Sequence, residues 1–164
     1  MSLINKLKAS KYESCVIHEC SPEGCTKVFH RDRAPLRLKG SPAPHILIDC
    51  DKSPIKQDEK RCDYIFVADG KPNTEGYALP IEMTSGYKDA SDAQAQLQAG
   101  TKTVSKIVPQ SAKLTFVPVF VGKLKEMKRR KWKDLRKEYR IKFRGDKFDM
   151  KILGKEENLA NALR

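Results

Sequence analysis

Each of two neighbouring apolar runs carries one carboxylate, and this placement limits what the chain can fold into more than any other feature. Residues 63–98 read DYIFVA, then the polar loop DGKPNTEG, then YALPIEMTSG and, after YKDAS, the helix-forming DAQAQLQ. A carboxylate inside a strand-like apolar run is costly unless a metal or a cation compensates it. The turn signals Asp69-Gly70, Pro72-Asn73 and Gly76 fold the two runs into a hairpin, with Asp63 and Glu82 at matching ends of its arms. Two carboxylates on adjacent strands can meet and bind a divalent cation, and Mg²⁺ leaves room beside them for a substrate phosphate. Metal-assisted phosphodiester cleavage suits such a site. Each residue alone has an ordinary alternative: Asp63 as a turn cap, Glu82 as an exposed edge residue between inward-facing Ile81 and Met83.

Around this segment the pattern predicts an α/β fold with a mixed sheet flanked by helices. A short basic helix is expected within residues 2–10, and ESCVIHE and KVFHRD read as strands separated by the turn SPEG. HILIDC at 45–50 reads as a buried strand, 63–68 and 77–84 as the hairpin arms, and Thr84-Ser85-Gly86 as the end of the second arm. Asp89 or Ser91 caps a helix to about Ile107, with Pro109 as its stop. LTFVPVFV at 114–121 reads as one apolar strand, with Pro118 marking an edge or a bulge. A basic helix over 123–138, a C-terminal β-hairpin turning at 144–147 and a frayed helix from 155 complete the order.

Charge adds a second line. The chain has 164 residues and a net charge of +12, and residues 123–144 hold 12 of the 33 Lys and Arg against 3 of the 21 acidic residues. Concentrated positive charge points to a polyanion, most often nucleic acid, and otherwise to a solvated face. Lys128, Arg129, Arg130, Lys131, Lys133, Arg136, Lys137 and Arg144 are the candidate phosphate contacts. Trp132, Tyr139 and Phe143, interleaved with them, read as packing residues. The basic start MSLINKLKASKYESC lacks the apolar core of a secretory signal, and no apolar run is long enough to span a bilayer. A cytoplasmic protein with no membrane contact is the expectation, and one domain over residues 1–164 follows from the length.

Asp63, then Glu82-Met83-Thr84, then a helix carrying Gln96-Leu97 together resemble the PD-(D/E)XK, or restriction-endonuclease-like, nuclease superfamily over roughly residues 45–121. The resemblance implies a restriction-endonuclease-like core, followed by the basic helix and hairpin at 123–153. It also implies an Mg²⁺- or Mn²⁺-dependent nuclease in which Asp63 and Glu82, helped by the Met83 carbonyl, hold the metal and Gln96 orients water or phosphate. The family's lysine two residues after the glutamate is here Thr84, which cannot place a positive charge beside the nucleophile. Lys88, four residues on, is the nearest substitute, and Lys71 at the hairpin tip a second. Loss of catalysis with retained binding is the competing explanation. The expected partner is nucleic acid, DNA ahead of RNA, in a defence or repair setting, with a homodimer or a partner protein as a further option.

Five cysteines without a signal peptide read as reduced thiols rather than a disulfide framework. Cys15, His18, Cys20 and Cys25, with His30 beyond, supply zinc-ligand residue types, although the spacing does not form a pair of C-x2-C motifs. A zinc-stabilised interaction module is therefore a third class. Neither a Ser–His–Asp context nor a phosphate-cradling G-x-x-x-x-G-K is present.

Overall fold

The computed structural model describes residues 2–57, 60–70 and 76–164. Lys71 and the tip of the predicted hairpin lie outside the described residues.

Among these residues the elements run α1 (Leu3–Lys8), β1 (Val16–Cys20), β2 (Val28–Arg31), β3 (Ala34–Arg37), β4 (His45–Asp49), β5 (Tyr64–Ala68), β6 (Gly76–Lys88), α2 (Ala90–Ile107), β7 (Leu114–Phe116), β8 (Val119–Leu124), α3 (Trp132–Leu135), β9 (Ile141–Phe143), β10 (Asp146–Phe148) and β11 (Lys151–Leu153). The main sheet follows the order β1-β4-β5-β6-β8-β11, with β7 also paired to β6. Along β1, β4, β5 and β6 each strand is antiparallel to the next, whereas β8 and β7 run parallel to β6, and β11 parallel to β8. The fold is α/β with a mixed, largely open sheet.

Both faces of the sheet are covered, which explains why every residue of β5 is apolar and buried. Ile65 and Val67 pack with Ile46, Ile48, Ala78 and Phe120 beneath Ala93, Leu97 and Val104 of α2. Tyr64 and Phe66 face the opposite way, into a cluster with Leu36, Leu38, Leu79, Ile81, Val121 and Leu159. The β2–β3 hairpin therefore closes the face that α2 leaves open.

Several boundaries differ from the sequence expectation. Strand β6 does not stop at Thr84-Ser85-Gly86 but continues to Lys88, because β8 keeps pairing with it across a bulge. The LTFVPVFV run is two strands: Val117-Pro118 breaks it, and the halves pair with β6 at different positions. The basic helix over 123–138 does not form. Its first residues belong to β8, Lys125–Lys128 is a 3-10 turn, and only Trp132–Leu135 is α-helical. Like charges one helical turn apart oppose a continuous helix there. The C-terminal hairpin is shorter than expected, β9 with β10, and turns at Arg144-Gly145, both at positive φ. Residues 151–153 leave it to join the main sheet as β11. The terminal helix is a 3-10 turn, Leu159–Leu163.

Gly100 lies inside α2, where alanine ordinarily stabilises a helix by up to about 1 kcal/mol. Here a Cβ would come within 2.7 Å of Cys62 Sγ and 2.9 Å of Pro80 Cβ. Gly100→Ala is expected to destabilise by about 1–3 kcal/mol through overpacking, measured as a lower midpoint in urea denaturation. A gain in stability would show that α2 does not approach β5 and β6 this closely.

Candidate functional site

Asp63 immediately precedes β5, and Glu82 sits in the middle of β6. Both follow the alternation that sends Ile65, Val67, Phe120 and Leu124 toward α2, so the two carboxylates share the helix-covered face. Asp63 Oδ2 accepts a hydrogen bond from the Met83 N–H at 2.9 Å, which ties the two strands together beside Glu82. The Glu82 side chain is 2% exposed and that of Asp63 20%.

Lys88 completes the group. The bulge in β6 sets four residue steps, Met83 to Tyr87, against two steps of β8, Val121 to Lys123. Two extra residues preserve the side-chain alternation, so Lys88 returns to the face of Glu82 and the strand shortens between them. Its Nζ donates to Glu82 Oε1 at 2.5 Å and to Gln96 Oε1 at 2.7 Å. Gly122, at φ +139°, lies opposite the bulge, where a Cβ would meet Thr84 at 2.6 Å. Thr84, two residues after Glu82, thus packs against the β8 backbone.

Helix α2 turns one glutamine toward the site and two away. Gln94 and Gln98, one turn apart, bind the Arg140 and Lys142 carbonyls at 3.0 and 2.8 Å and fasten β9 to the helix. Gln96 faces Lys88. The helix begins directly after Lys88, and its first free N–H, on Ala90, donates to the Glu126 carboxylate at 2.9 Å rather than to its own cap residue Asp89.

Asp63, Lys88 and Gln96 line a cleft of about 430 Å³ together with Asp51, Lys60, Arg61 and Asp92. Glu82 is set behind Lys88. The sequence reading missed the charge network on the cleft's other side. Arg31, from the β2–β3 hairpin, pairs with Asp49 at 2.8 Å and with Asp51, lies 3.8 Å from Asp63, and stacks over the Tyr64 ring. Arg61 pairs with Asp51 at 2.7 Å. The available signal was three aspartates, Asp49, Asp51 and Asp63, flanking two predicted buried strands.

Burial, then the neighbouring Asp63 charge, pushes the Glu82 carboxyl up to about 7, despite the opposing pull of Lys88. Burial also raises Asp63, against the Met83 N–H and Arg31. Glu82 Oε2 is buried with no hydrogen-bond partner. A buried carboxylate oxygen without a donor is unusual and leaves one ligand atom of Glu82 uncommitted.

In the basic segment, Trp132 donates to the Met150 carbonyl at 3.2 Å and, with Tyr139, packs against the core. Arg130 pairs with Glu138 and Arg136 with Asp149, while Arg144 donates to the Ala112 and Pro109 carbonyls. Lys128 lies over the Tyr87 ring. Arg129, Lys131, Lys133 and Lys137 are exposed and make no ion pair among the described residues.

Of the four cysteine and histidine candidates, His18, Cys20 and Cys25 cluster, but Cys15 does not belong with them. Cys15 is buried and donates to the Ser53 carbonyl at 3.2 Å. His45, which the strand reading had absorbed, takes its place. His30 is not in the cluster; its strand neighbour across the hairpin is Pro35.

Comparison with protein-family models, curated proteins and solved structures returns no match for this chain. No helix among the described residues is long and apolar enough to cross a membrane.

The raised Glu82 value has a consequence for stability. A folded value near 7, against an ordinary 4.5, means that the folded state binds the extra proton between those limits. Glu82 therefore costs stability progressively as pH rises through that window, by roughly 3 kcal/mol in all. Glu82→Gln is expected to gain on wild type steadily from pH 4.5 to 7 in metal-free denaturation. A stability difference that does not change with pH would show that Glu82 titrates normally.

Proposed function

We propose that this chain is a metal-dependent nuclease with a restriction-endonuclease-like core, in which Lys88 replaces the lysine missing at position 84. One observation carries the reading: Lys88 Nζ bridges Glu82 and Gln96 on the face shared with Asp63, at the wall of an open cleft. The family's four functional groups are thereby present as side-chain types in one place, although one comes from a different position of the strand.

Asp63 and the free Oε2 of Glu82 are the residues that would hold Mg²⁺ or Mn²⁺. Such an ion, when bound, polarises a phosphate oxygen and makes water a better nucleophile near neutral pH. The chain's own contribution is positioning and charge. Lys88 supplies a fixed cation where negative charge develops on the phosphate. Gln96 holds the Lys88 ammonium in line and presents an amide to water or phosphate. Lys60 lines the cleft beside the Arg61–Asp51 pair, and the exposed Arg129, Lys131, Lys133 and Lys137 offer a basic surface for the nucleic-acid backbone.

The 2.5 Å Lys88–Glu82 pair also supports a second reading. Lys88 can serve as the internal counter-charge of a buried carboxylate, leaving a nuclease-like module that binds nucleic acid or a partner protein without cutting. The two readings separate in a cleavage assay on single-stranded DNA, duplex DNA and RNA with Mg²⁺ or Mn²⁺. The nuclease reading expects cleavage by wild type, its loss in Asp63→Asn, and a loss of about 10²-fold or more in Lys88→Ala, with binding retained in both. Binding without cleavage by wild type on all three substrates overturns it in favour of the silent module.

The basic surface has its own test. Charge reversal at Arg129, Lys131 and Lys137 is expected to lower affinity on all sequences and to flatten the salt dependence by about one unit of slope per lost phosphate contact. An unchanged slope in a salt titration would mean that this segment is only a solvated face.

A further inference from the structure

A second constellation lies away from the cleft, at the edge of the sheet. His18 and Cys20 alternate on β1 and share a face, and Cys20 pairs directly with His45, the first residue of β4. Cys25, in the loop leading to β2, closes over them. The ligand atoms of these four residues all lie within 4.8 Å of one another. Cys25 Sγ is 3.5 Å from His18 Nε2 and 3.6 Å from His45 Nε2. A tetrahedral zinc with ordinary Zn–S and Zn–N bonds places a sulfur and a nitrogen ligand about 3.6 Å apart. Both separations fall at that value.

The histidine chemistry agrees. His45 is fully buried, and its Nδ1 lies 2.7 Å from the Pro42 carbonyl. A carbonyl can only accept, so Nδ1 carries the proton and Nε2 presents its lone pair toward Cys25. A metal-ligating histidine is commonly held this way by a backbone carbonyl on its other nitrogen. The rings of Phe29 and Phe66, at 5.2 Å from His18 and 4.7 Å from His45, pack beside the two imidazoles.

We propose that His18, Cys20, Cys25 and His45 bind one zinc ion in a closed, four-ligand structural site. Two thiolates with two imidazoles match zinc in softness and geometry. On binding, both thiols release their protons to solvent and each imidazole donates its Nε2 lone pair, so no redox step is involved. The ion joins three pieces that sequence distance keeps apart: the edge strand β1, the loop entering the β2–β3 hairpin, and the start of β4. It thereby fixes the root of the hairpin that delivers Arg31 to Asp49, Asp51 and Asp63. The site stands independently of the nuclease reading, because it shares no residue with the cleft.

The test uses the full chain purified in reducing buffer without chelator. Elemental analysis is expected to find about one zinc per chain. Replacement with Co²⁺ alone is expected to give the visible bands of tetrahedral cobalt and a thiolate-to-cobalt charge-transfer band. Cys25→Ser and His45→Ala should each lower zinc affinity sharply, whereas Cys15→Ser, which alters a thiol outside the cluster, should keep the full stoichiometry. Chelation should lower the Tm of wild type and leave that of His45→Ala unchanged. Should the variants fail to fold, the cobalt spectrum of wild type still decides. Zinc far below one per chain after reduction and reloading, with no thiolate charge-transfer band, overturns the proposal. So does a Cys20–Cys25 disulfide that forms in place of metal uptake. Asp63→Asn should retain full zinc, so loss of cleavage and loss of zinc are read separately.

Discussion

The burial of the Glu82 carboxylate sets the terms for the elements around it. Strand β6 is covered by β5 on one side and β8 on the other, and α2 lies over the face that Glu82 shares. A charged group in that position loses several kcal/mol of hydration, which only a close cation and good hydrogen bonds offset. The nearest cation comes from the same strand. The two-residue bulge brings Lys88 back to Glu82, and Gly122 at φ +139° gives β8 the backbone freedom to accommodate it. Helix α2 must then start at Ala90, with Glu126 accepting from its first N–H, so that Gln96 falls where Lys88 needs a second acceptor. Strand end, helix start and glutamine placement follow from one buried charge.

Asp63 is compensated from the opposite direction. Asp49, Asp51 and Asp63 gather at the adjoining ends of β4 and β5, and without a cation their mutual repulsion would splay the strands. Arg31 reaches them from the β2–β3 hairpin, which otherwise serves to cover the second face of the sheet. The planar guanidinium can engage several carboxylates and the Tyr64 ring together, a geometry that a lysine at position 31 could not reproduce. The two carboxylates of the candidate site therefore have different cations, from different elements. Lys88 is a neighbour in the strand, and Arg31 is brought by a separate hairpin.

What was legible in the sequence and what was not divides along this line. The apolar runs at 45–50 and 63–68, the first part of the 77–84 run and the Gln helix carry local signals, and the corresponding elements stand where the pattern puts them. Lys88 could be nominated because it follows Glu82 closely. The bulge that delivers it could not be read, since Thr84-Ser85-Gly86 looks locally like a strand end and only pairing with β8 keeps it extended. Arg31 and His45 were invisible for another reason. Each joins its partners through contacts between elements distant in sequence, and each has an ordinary local reading, one as a turn-flanking basic residue, the other as the polar start of a buried strand. The basic segment misled through composition: its alternation of Lys and Arg with Leu, Met and Trp suggests an amphipathic helix, but tertiary contacts divide it into a strand end, a 3-10 turn and one helical turn.

That division bears on how charge could serve a polyanion. A continuous helix would spread its cations around a cylinder and send a large share of them away from the cleft. The broken segment is instead anchored where it passes the end of β6. Lys123 and Lys128 lie over Tyr87, Lys125 pairs with Asp89, and Glu126 accepts from the first N–H of α2. All four contacts fall within three residues of Lys88. The start of the segment is therefore fixed relative to the bridging lysine, while Arg129, Lys131 and Lys133 stay exposed just beyond the anchor. Lys60 and Arg61 stand on the cleft wall itself. The contacts at Tyr87, Asp89 and Ala90 thus hold the start of the basic segment in a fixed relation to Lys88 and, through it, to the Glu82 carboxylate.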